Sequence, residues 1–324
     1  MRAIIPAAGV GERLRPLTLT KPKVLLPVAG KPIIGHIYDR IILSGIRDVT
    51  VIVGYRAQQV IDYSTSNFNL NFRFVHQTER RGLGHAVGLG LENSDEPALI
   101  LLGDTILDLN FADFAKNKEN VIGVMKVDDP RRFGMVELKD GWITRLVEKP
   151  RKFDGDLAIA GIYLIQNQSK LKKAVDLIIA KNITTKGEYQ LTDALQVMLS
   201  QGEKIKTEMI AACHDCGTRE ALLEANRNLL ANLEPSGKQY PDTTLIQPVF
   251  IHPDAVVRES IVGPYVSVGA DAELIRSVVA NSIISEKAIL EDVNLNNSLI
   301  GVNAEAKGIS GVFDLGDFSR QNLS

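Results

Sequence analysis

Residues 3–15 read Ala3-Ile-Ile-Pro-Ala-Ala-Gly-Val-Gly-Glu-Arg-Leu-Arg15, and the order of chemistry in this stretch decides the fold class. Ala3-Ile-Ile5 has the apolar character of a buried strand, and it runs straight into the loop Pro6-Ala-Ala-Gly-Val-Gly11. Working outward, Ile34, Ile37 and Ile41 follow the i, i+3, i+7 spacing of a helix that starts at Lys31 and stops at Gly45. Val49-Thr-Val-Ile-Val53 is β-branched enough to be the next strand. Phe72-Arg-Phe-Val-His76 and Ala98-Leu-Ile-Leu-Leu102 follow as strands, with a helical stretch from Gly84 to Leu91 between them. Strands of this kind, separated by helices, predict an α/β domain: a Rossmann-like, mostly parallel mixed sheet covered on both sides. From Val121 to Val147 shorter strands around the turn Lys139-Asp-Gly141 predict an antiparallel insertion. Leu222, Ala225, Leu229 and Leu230 mark a long helix after Ala221.

That helix ends before Glu234-Pro-Ser-Gly-Lys-Gln-Tyr-Pro241, the best domain boundary in the chain. Beyond it the composition changes, and small turn residues punctuate single aliphatics, as in Ser260-Ile-Val-Gly-Pro-Tyr-Val-Ser-Val-Gly269 and Ser298-Leu-Ile-Gly301. Val262, Val268 and Leu274 are six apart. Hexads of this type predict a left-handed parallel β-helix, in which aliphatics point into a prism and small residues turn its corners. A β-sandwich of alternating residues is the other arrangement. The expected domains are residues 1–235 and 243–324, and because such prisms commonly stack side by side, a homo-oligomer is expected.

The composition excludes several function classes. The 324 residues carry 37 Lys+Arg against 39 Asp+Glu, a net charge of −2, which argues against a nucleic-acid binder. Aromatic residues are only 6%, leaving few stacking platforms for single strands. Two cysteines cannot staple a chain of this size, so a reducing compartment is expected. Met1–Pro6 reaches turn residues too early for a signal peptide, and no apolar run is long enough to span a membrane. A cytoplasmic protein that handles small molecules remains.

Local charge says more than the average. Residues 1–31 hold six Arg or Lys against Glu12 alone, with Arg13, Arg15, Lys21 and Lys23 inside eleven residues. Glycines after a strand let backbone N–H groups approach a phosphate, and cations at this density suit a triphosphate. Two known phosphate motifs fail here: the dinucleotide fingerprint would need glycine where Leu14 stands, and a P-loop would need Gly-Lys-Ser/Thr. A tight turn beside a solvated basic face is the alternative reading of the same residues.

The whole string Pro6-Ala-Ala-Gly-Val-Gly-Glu-Arg-Leu-Arg-Pro-Leu-Thr18, continued by Lys21-Pro-Lys-Val-Leu-Leu-Pro-Val-Ala-Gly-Lys-Pro32, closely resembles the signature of the sugar-1-phosphate nucleotidylyltransferases. The resemblance continues, in family order, through Gln77, Gly82-Leu-Gly-His-Ala86, Gly103-Asp104, Glu148-Lys-Pro150 and Asp215-Cys-Gly-Thr218. It covers roughly residues 1–230, and the carboxyl-terminal hexads match long-form members that append a β-helix. It implies that a sugar-1-phosphate oxygen attacks the α-phosphorus of an NTP and pyrophosphate leaves, with glucose-1-phosphate and dTTP or UTP the first choice. Ala7, Ala8, Gly9 and Gly11 would then line the nucleotide, and Arg13 would hold the β- and γ-phosphates. Lys23 would lie near the α-phosphate, and Gln77 and Gly82 would contact the base. Asp104 and Asp215 match a pair of carboxylates holding Mg²⁺. Gly134 matches a backbone contact to the sugar, Glu148 a contact to a sugar hydroxyl, and Lys149 one to the sugar phosphate. Arg13, Lys23 and Asp104 are the expected catalytic residues. No general base is needed, because the attacking phosphate oxygen is already ionised near neutral pH.

Three positions depart from the family pattern: Glu12 for a usual Thr or Ser, Ala8 for a common Gly, and His214 before Asp215 for a frequent aromatic. A carboxylate at Glu12 would repel phosphate unless it points outward or pairs with a cation such as Arg15. Cys213-His-Asp-Cys216 has no second cysteine pair to complete a zinc site and no thioredoxin-like context, so these read as incidental cysteines beside a functional Asp. His85 reads as a helix-surface or substrate-lining residue. The alternatives are a non-catalytic nucleotide-binding regulatory or scaffold subunit and a guanylyltransferase acting on mannose-1-phosphate. A second, acyl-transferring activity of the β-helix finds only His252 as a base, at the helix's start.

Overall fold

The computed structural model describes residues 1–234 and 238–322, so residues 235–237 of the expected boundary and residues 323–324 lie outside the described residues. The chain packs as two compact units, Met1–Gly9 with Ile37–Cys213, and Val10–His36 with His214–Ser324. The basic segment that carries Arg13 and Lys23 therefore groups with the carboxyl-terminal part of the chain, a grouping that no composition shift marks.

The first unit is built on a nine-stranded sheet. Its strands are β1 (Arg2–Pro6), β2 (Asp48–Val53), β3 (Asn71–His76), β4 (Ala98–Leu101), β5 (Asn120–Lys126), β6 (Gly134–Lys139), β7 (Trp142–Glu148), β8 (Leu157–Ile165) and β9 (Ile205–Met209). Their order across the sheet is β3-β2-β1-β4-β8-β5-β9-β7-β6. The first four strands are mutually parallel, and β8 runs antiparallel between β4 and β5. Strands β6 and β7 form the expected hairpin, with Asp140 and Gly141 both at positive φ, the conformation a two-residue hairpin turn demands. Strands β8 and β9 lie outside the segments singled out by pattern.

Helices α1 (Ile33–Leu43), α2 (Ala57–Asn67), α3 (Leu83–Gly90), α4 (Phe111–Phe114), α5 (Gln168–Ala180) and α6 (Leu191–Ser200) follow the strands. Helix α1 begins two residues later than its spacing predicted. Lys31-Pro32 instead pairs with Pro27-Val28 as a short ribbon, because a residue before proline is pushed out of the helical region. Apolar residues of α3, α5 and α6, including Val87, Val175 and Leu195, share one core with Ile4, Ile100 and Ile122 of the sheet.

The second unit contains α7 (Arg219–Ala231) and a solenoid of three parallel sheets, each of five short strands. Val262, Val268 and Leu274, the six-spaced aliphatics, sit on three successive faces and are completely buried. The coils nevertheless fall short of three full hexads. Thr244 pairs with Ile261, seventeen residues on; Val278 pairs with Asn294, sixteen on; Leu299 pairs with Asp314, fifteen on. Corners turn through a single left-handed residue, as at Arg276, Asn281, Asp292 and Asn297. Such a conformation costs a non-glycine about 1 kcal/mol or more. It is offset by a hydrogen bond to the coil before: Arg276 N–H donates to the Arg258 carbonyl (3.2 Å) and Asn281 N–H to Pro264 (2.8 Å). Buried serines complete the corners, with Ser277 N–H donating to Ser260 Oγ (3.1 Å) and Ser298 N–H to Ser282 Oγ (3.0 Å).

This packing sets a clear contrast between inward and outward positions. Leu290→Ala, at a fully buried interior position, is expected to lower stability by about 2–5 kcal/mol. Val278→Ala, at an outward position that is 41% exposed, is expected to cost about 0.5 kcal/mol or less. Urea unfolding of the two variants checks this.

Candidate active site

Parallel strands deliver their following loops to one edge of a sheet, and the chain order reverses on either side of β1. Backbone hydrogen bonds knit these loops together just beyond the strands. Ala7 N–H donates to the Ile52 carbonyl (2.8 Å), Gln77 N–H to Val53 (2.8 Å) and Gly103 N–H to Pro6 (3.2 Å). Ala7, Ala8, Gly9, Gln77 and Asp104 thus share the carboxyl edge of β1, β3 and β4. Nothing occupies the space on the Cα of Gly9 where a side chain would stand, and the residue is exposed. Ala8 is accommodated by Gly54, where a Cβ would come within 2.9 Å of the alanine methyl. The departure at Ala8 is thus absorbed by a neighbouring glycine.

Gln77 is buried at 7% exposure, and its side-chain amide is paired with His85 of α3, Nε2 to Nδ1 at 3.1 Å. Desolvation, then the neighbouring Arg81 cation, holds the His85 imidazole below its usual range, while Glu79 opposes them. The neutral ring accepts at Nδ1, so the amide presents its oxygen and remaining N–H elsewhere. His85 is therefore a residue that orients Gln77. Gly82 caps α3 at φ 110, and a Cβ there would come within 2.6 Å of the Tyr189 carbonyl oxygen, so only glycine fits. Arg81 lies over the Tyr189 ring and donates to its hydroxyl (3.1 Å), which fixes this loop.

The hairpin brings in a second group. Ala158 of β8 pairs with Met125 on one side and Met135 on the other, which carries the Gly134–Glu148 end of the hairpin to the carboxyl edge of β5. Glu148 pairs in register with Gly134. Its side chain is nearly buried, with Oε2 accepting from Thr192 Oγ1 (2.6 Å) and Oε1 facing Lys149 Nζ (3.1 Å). A Cβ on Gly134 would meet both Thr192 Oγ1 (2.8 Å) and Glu148 Oε2 (3.1 Å), so this glycine leaves room for the bond between them. Thr192, in the first turn of α6, was not legible as a site residue. A threonine opening an amphipathic helix carries no chemical signature until its partner is known.

In the second unit, Gly11 sits at φ 73 and opens the short helical turn Glu12–Leu14. Its carbonyl accepts from Leu14 N–H (2.9 Å) and Thr18 Oγ1 (2.8 Å). A Cβ on Gly11 would come within 2.8 Å of the Lys23 Cβ, so the loop closes tightly on Lys23 and brings Gly11 and Lys23 together. Glu12, Arg13 and Arg15 are all exposed. Asp215 ends the strand Ala212–Asp215, with Gly217 leaving room beside its carboxylate. The two cysteine thiols face backbone carbonyls, Cys213 that of Ala160 (3.5 Å) and Cys216 that of His214 (3.7 Å).

A profile for the family described as nucleotidyl transferase matches residues 2–232. A glucose-1-phosphate thymidylyltransferase of Streptomyces griseus is 31% identical over 323 residues, covering 95% of this chain and 89% of that protein. A bifunctional protein GlmU of Methanococcus vannielii is 34% identical over 244 residues, 72% of this chain and 56% of that protein. The chain thus spans little more than half of that relative's length. The fold is similar to that of a UDP-glucose pyrophosphorylase complexed with UDP-glucose. The TM-score is 0.61 at 24% identity, over 72% of this chain and 99% of that one.

Beside Glu148, burial raises the Asp193 carboxyl above its usual range; a hydrogen bond from Thr185 opposes this and the Glu148 charge adds to it. The folded chain therefore holds the Asp193 proton more firmly than the unfolded chain. The associated stability is present at low pH and lost as pH rises through the raised value. Asp193→Asn, which does not ionise, is expected to match the wild type in Tm near pH 3, to gain on it as pH rises through the raised value, and to keep a constant advantage above it. Thermal melts across that range check the sign.

Proposed function

The chain belongs to the nucleotidyl transferase family, and from that membership we propose that it joins a nucleoside triphosphate, dTTP or UTP, to a sugar-1-phosphate, glucose-1-phosphate foremost. Pyrophosphate leaves and a nucleotide-activated sugar forms. One observation carries this reading. A single sheet edge gathers an open glycine at Gly9, an oriented amide at Gln77, a carboxylate at Asp104 and a buried, hydroxyl-bonded Glu148 beside Lys149.

Each group has a task that its surroundings support. The Gln77 amide, held by His85, offers one acceptor and one donor to a base edge. Glu148, with Thr192 on one oxygen, is held to accept a sugar hydroxyl, and Lys149 is the cation for the sugar phosphate. Arg13 and Lys23 supply positive charge for the triphosphate, so that the anionic nucleophile can approach phosphorus. Catalysis of this kind rests on positioning two anions and neutralising their charge.

The resemblance also implies Mg²⁺, and the donor chemistry fits it. Asp104 and Asp215 are hard oxygen donors, and among the described residues no cluster of three or more His, Cys, Asp or Glu could hold a metal unaided. Mg²⁺ is commonly held by one or two carboxylates together with substrate phosphates. Bound there, it would neutralise phosphate charge.

A matrix of nucleoside triphosphates against sugar-1-phosphates, read by pyrophosphate release, tests the proposal. The dTTP or UTP and glucose-1-phosphate pairs are expected to turn over fastest. A maximum at GTP with mannose-1-phosphate would reassign the substrates, and nucleotide binding without turnover in any pairing would favour a regulatory subunit. Asp104→Asn is expected to lower kcat about a hundredfold or more with Tm unchanged.

A further inference from the structure

The basic loop and the solenoid belong to one compact unit, and the contacts between them are specific. Four stations fasten residues 16–30 to the coils. Gly316 leaves space for Pro16, with a Cβ there 3.0 Å from the proline ring. Thr20 Oγ1 donates to Asp317 Oδ2. Lys21 Nζ lies 3.7 Å from Glu286. Gly30 lies against the Phe250 ring so closely that a Cβ would overlap it. Ala29 N–H also donates to Asn226 Oδ1 (2.9 Å), and this fully buried amide donates in turn to the Tyr265 carbonyl (3.2 Å).

Asp317 is the most telling of these residues. Its second oxygen, Oδ1, accepts from Val302 N–H of the preceding coil (2.8 Å), and Gly301 leaves the space that the carboxylate fills. One carboxylate thereby joins a solenoid rung to the loop that carries Arg13 and Lys23. A chain packed only for stability would not need a charged group here, since Leu17, Leu25 and Leu26 of the same segment are buried. A loop that must meet a highly charged ligand gains from being ordered beforehand, because the entropy of ordering is then not subtracted from binding.

We propose that the solenoid positions the triphosphate loop, with Asp317 as the positioning residue acting through Thr20. The proposal rests on the reading of residues 9–23 as a phosphate loop. Asp317 touches no substrate in this scheme; it sets where the exposed cations of the loop stand. Lys21 and Glu286 form a second, weaker tether, because Glu286 is more than half exposed.

The test is a double-mutant cycle on the full-length chain: Asp317→Ala, Thr20→Val and the pair, titrated calorimetrically with dTTP and assayed for the KM of glucose-1-phosphate. Each single variant is expected to weaken dTTP binding about tenfold. The double variant should be no weaker than either single one, and the sugar KM should stay within about twofold. Asp317→Asn, whose amide can still bond the Thr20 hydroxyl, should recover most of the affinity. Glu286→Gln, at an exposed position that tolerates change, should weaken dTTP binding about twofold even if Asp317→Ala fails to fold. Variants that bind dTTP as tightly as the wild type overturn the proposal alone. Additive losses that track a fall in Tm, with both substrates equally affected, overturn it as well. A wild-type chain that binds no nucleoside triphosphate overturns the phosphate-loop reading and this proposal together.

Discussion

The bonds from Ala7 to Ile52, from Gln77 to Val53 and from Gly103 to Pro6 hold the ends of four parallel strands in one register. A parallel pair slants its hydrogen bonds so that the residue after one strand's end is caught by its neighbour, and the loops cannot drift apart. Ala7, Ala8, Gly9, Gln77 and Asp104 depend on that constraint. A one-residue slip of β3 against β2 would turn Gln77 to the opposite face of the sheet and away from His85. Such a slip is costly, because it would also carry Phe72 away from the Tyr38 ring that it meets edge-on, with centroids 5.2 Å apart.

The second structural theme is that polar groups at the site are held by other polar groups before any ligand arrives. Glu148 is bonded by Thr192, Gln77 by His85, and the Gly11 carbonyl by Thr18. The bonds on Glu148 and Gln77 each remove a rotational alternative and leave a further acceptor or donor open, while those on the Gly11 carbonyl fix the loop backbone. Enzymes that transfer phosphoryl or nucleotidyl groups need little covalent chemistry from the protein, so this ordering is the larger part of what a chain can contribute.

Much of this architecture was legible in the sequence because it is local. The strand-to-loop transition at Pro6, the turn at Asp140-Gly141 and the six-residue spacing of Val262, Val268 and Leu274 all follow from neighbours in the chain. What escaped has a common cause. The solenoid's corners turn through left-handed residues such as Arg276, Asn281 and Asp292, and arginine is no typical residue for that conformation; hydrogen bonds to the preceding coil stabilise it. Thr192 matters only through Glu148, forty-four positions earlier. The grouping of residues 10–36 with the carboxyl-terminal segment rests on Asn226 and Asp317, whose side chains read as ordinary polar residues until the chain brings them to the loop. Ala8, one of the three departures from the family pattern, is accommodated by Gly54, a neighbour forty-six positions later that no local reading connects with it.

Hydrogen–deuterium exchange of the full chain, with and without each substrate, tests the central claim that one sheet edge carries distinct nucleotide and sugar-phosphate sites. With dTTP, amides of residues 7–15 and 77–84 should exchange at least severalfold more slowly. With glucose-1-phosphate, protection should appear instead at residues 133–135 and 147–149. Protection confined to other segments, or none at saturating concentrations of both substrates, would contradict the account.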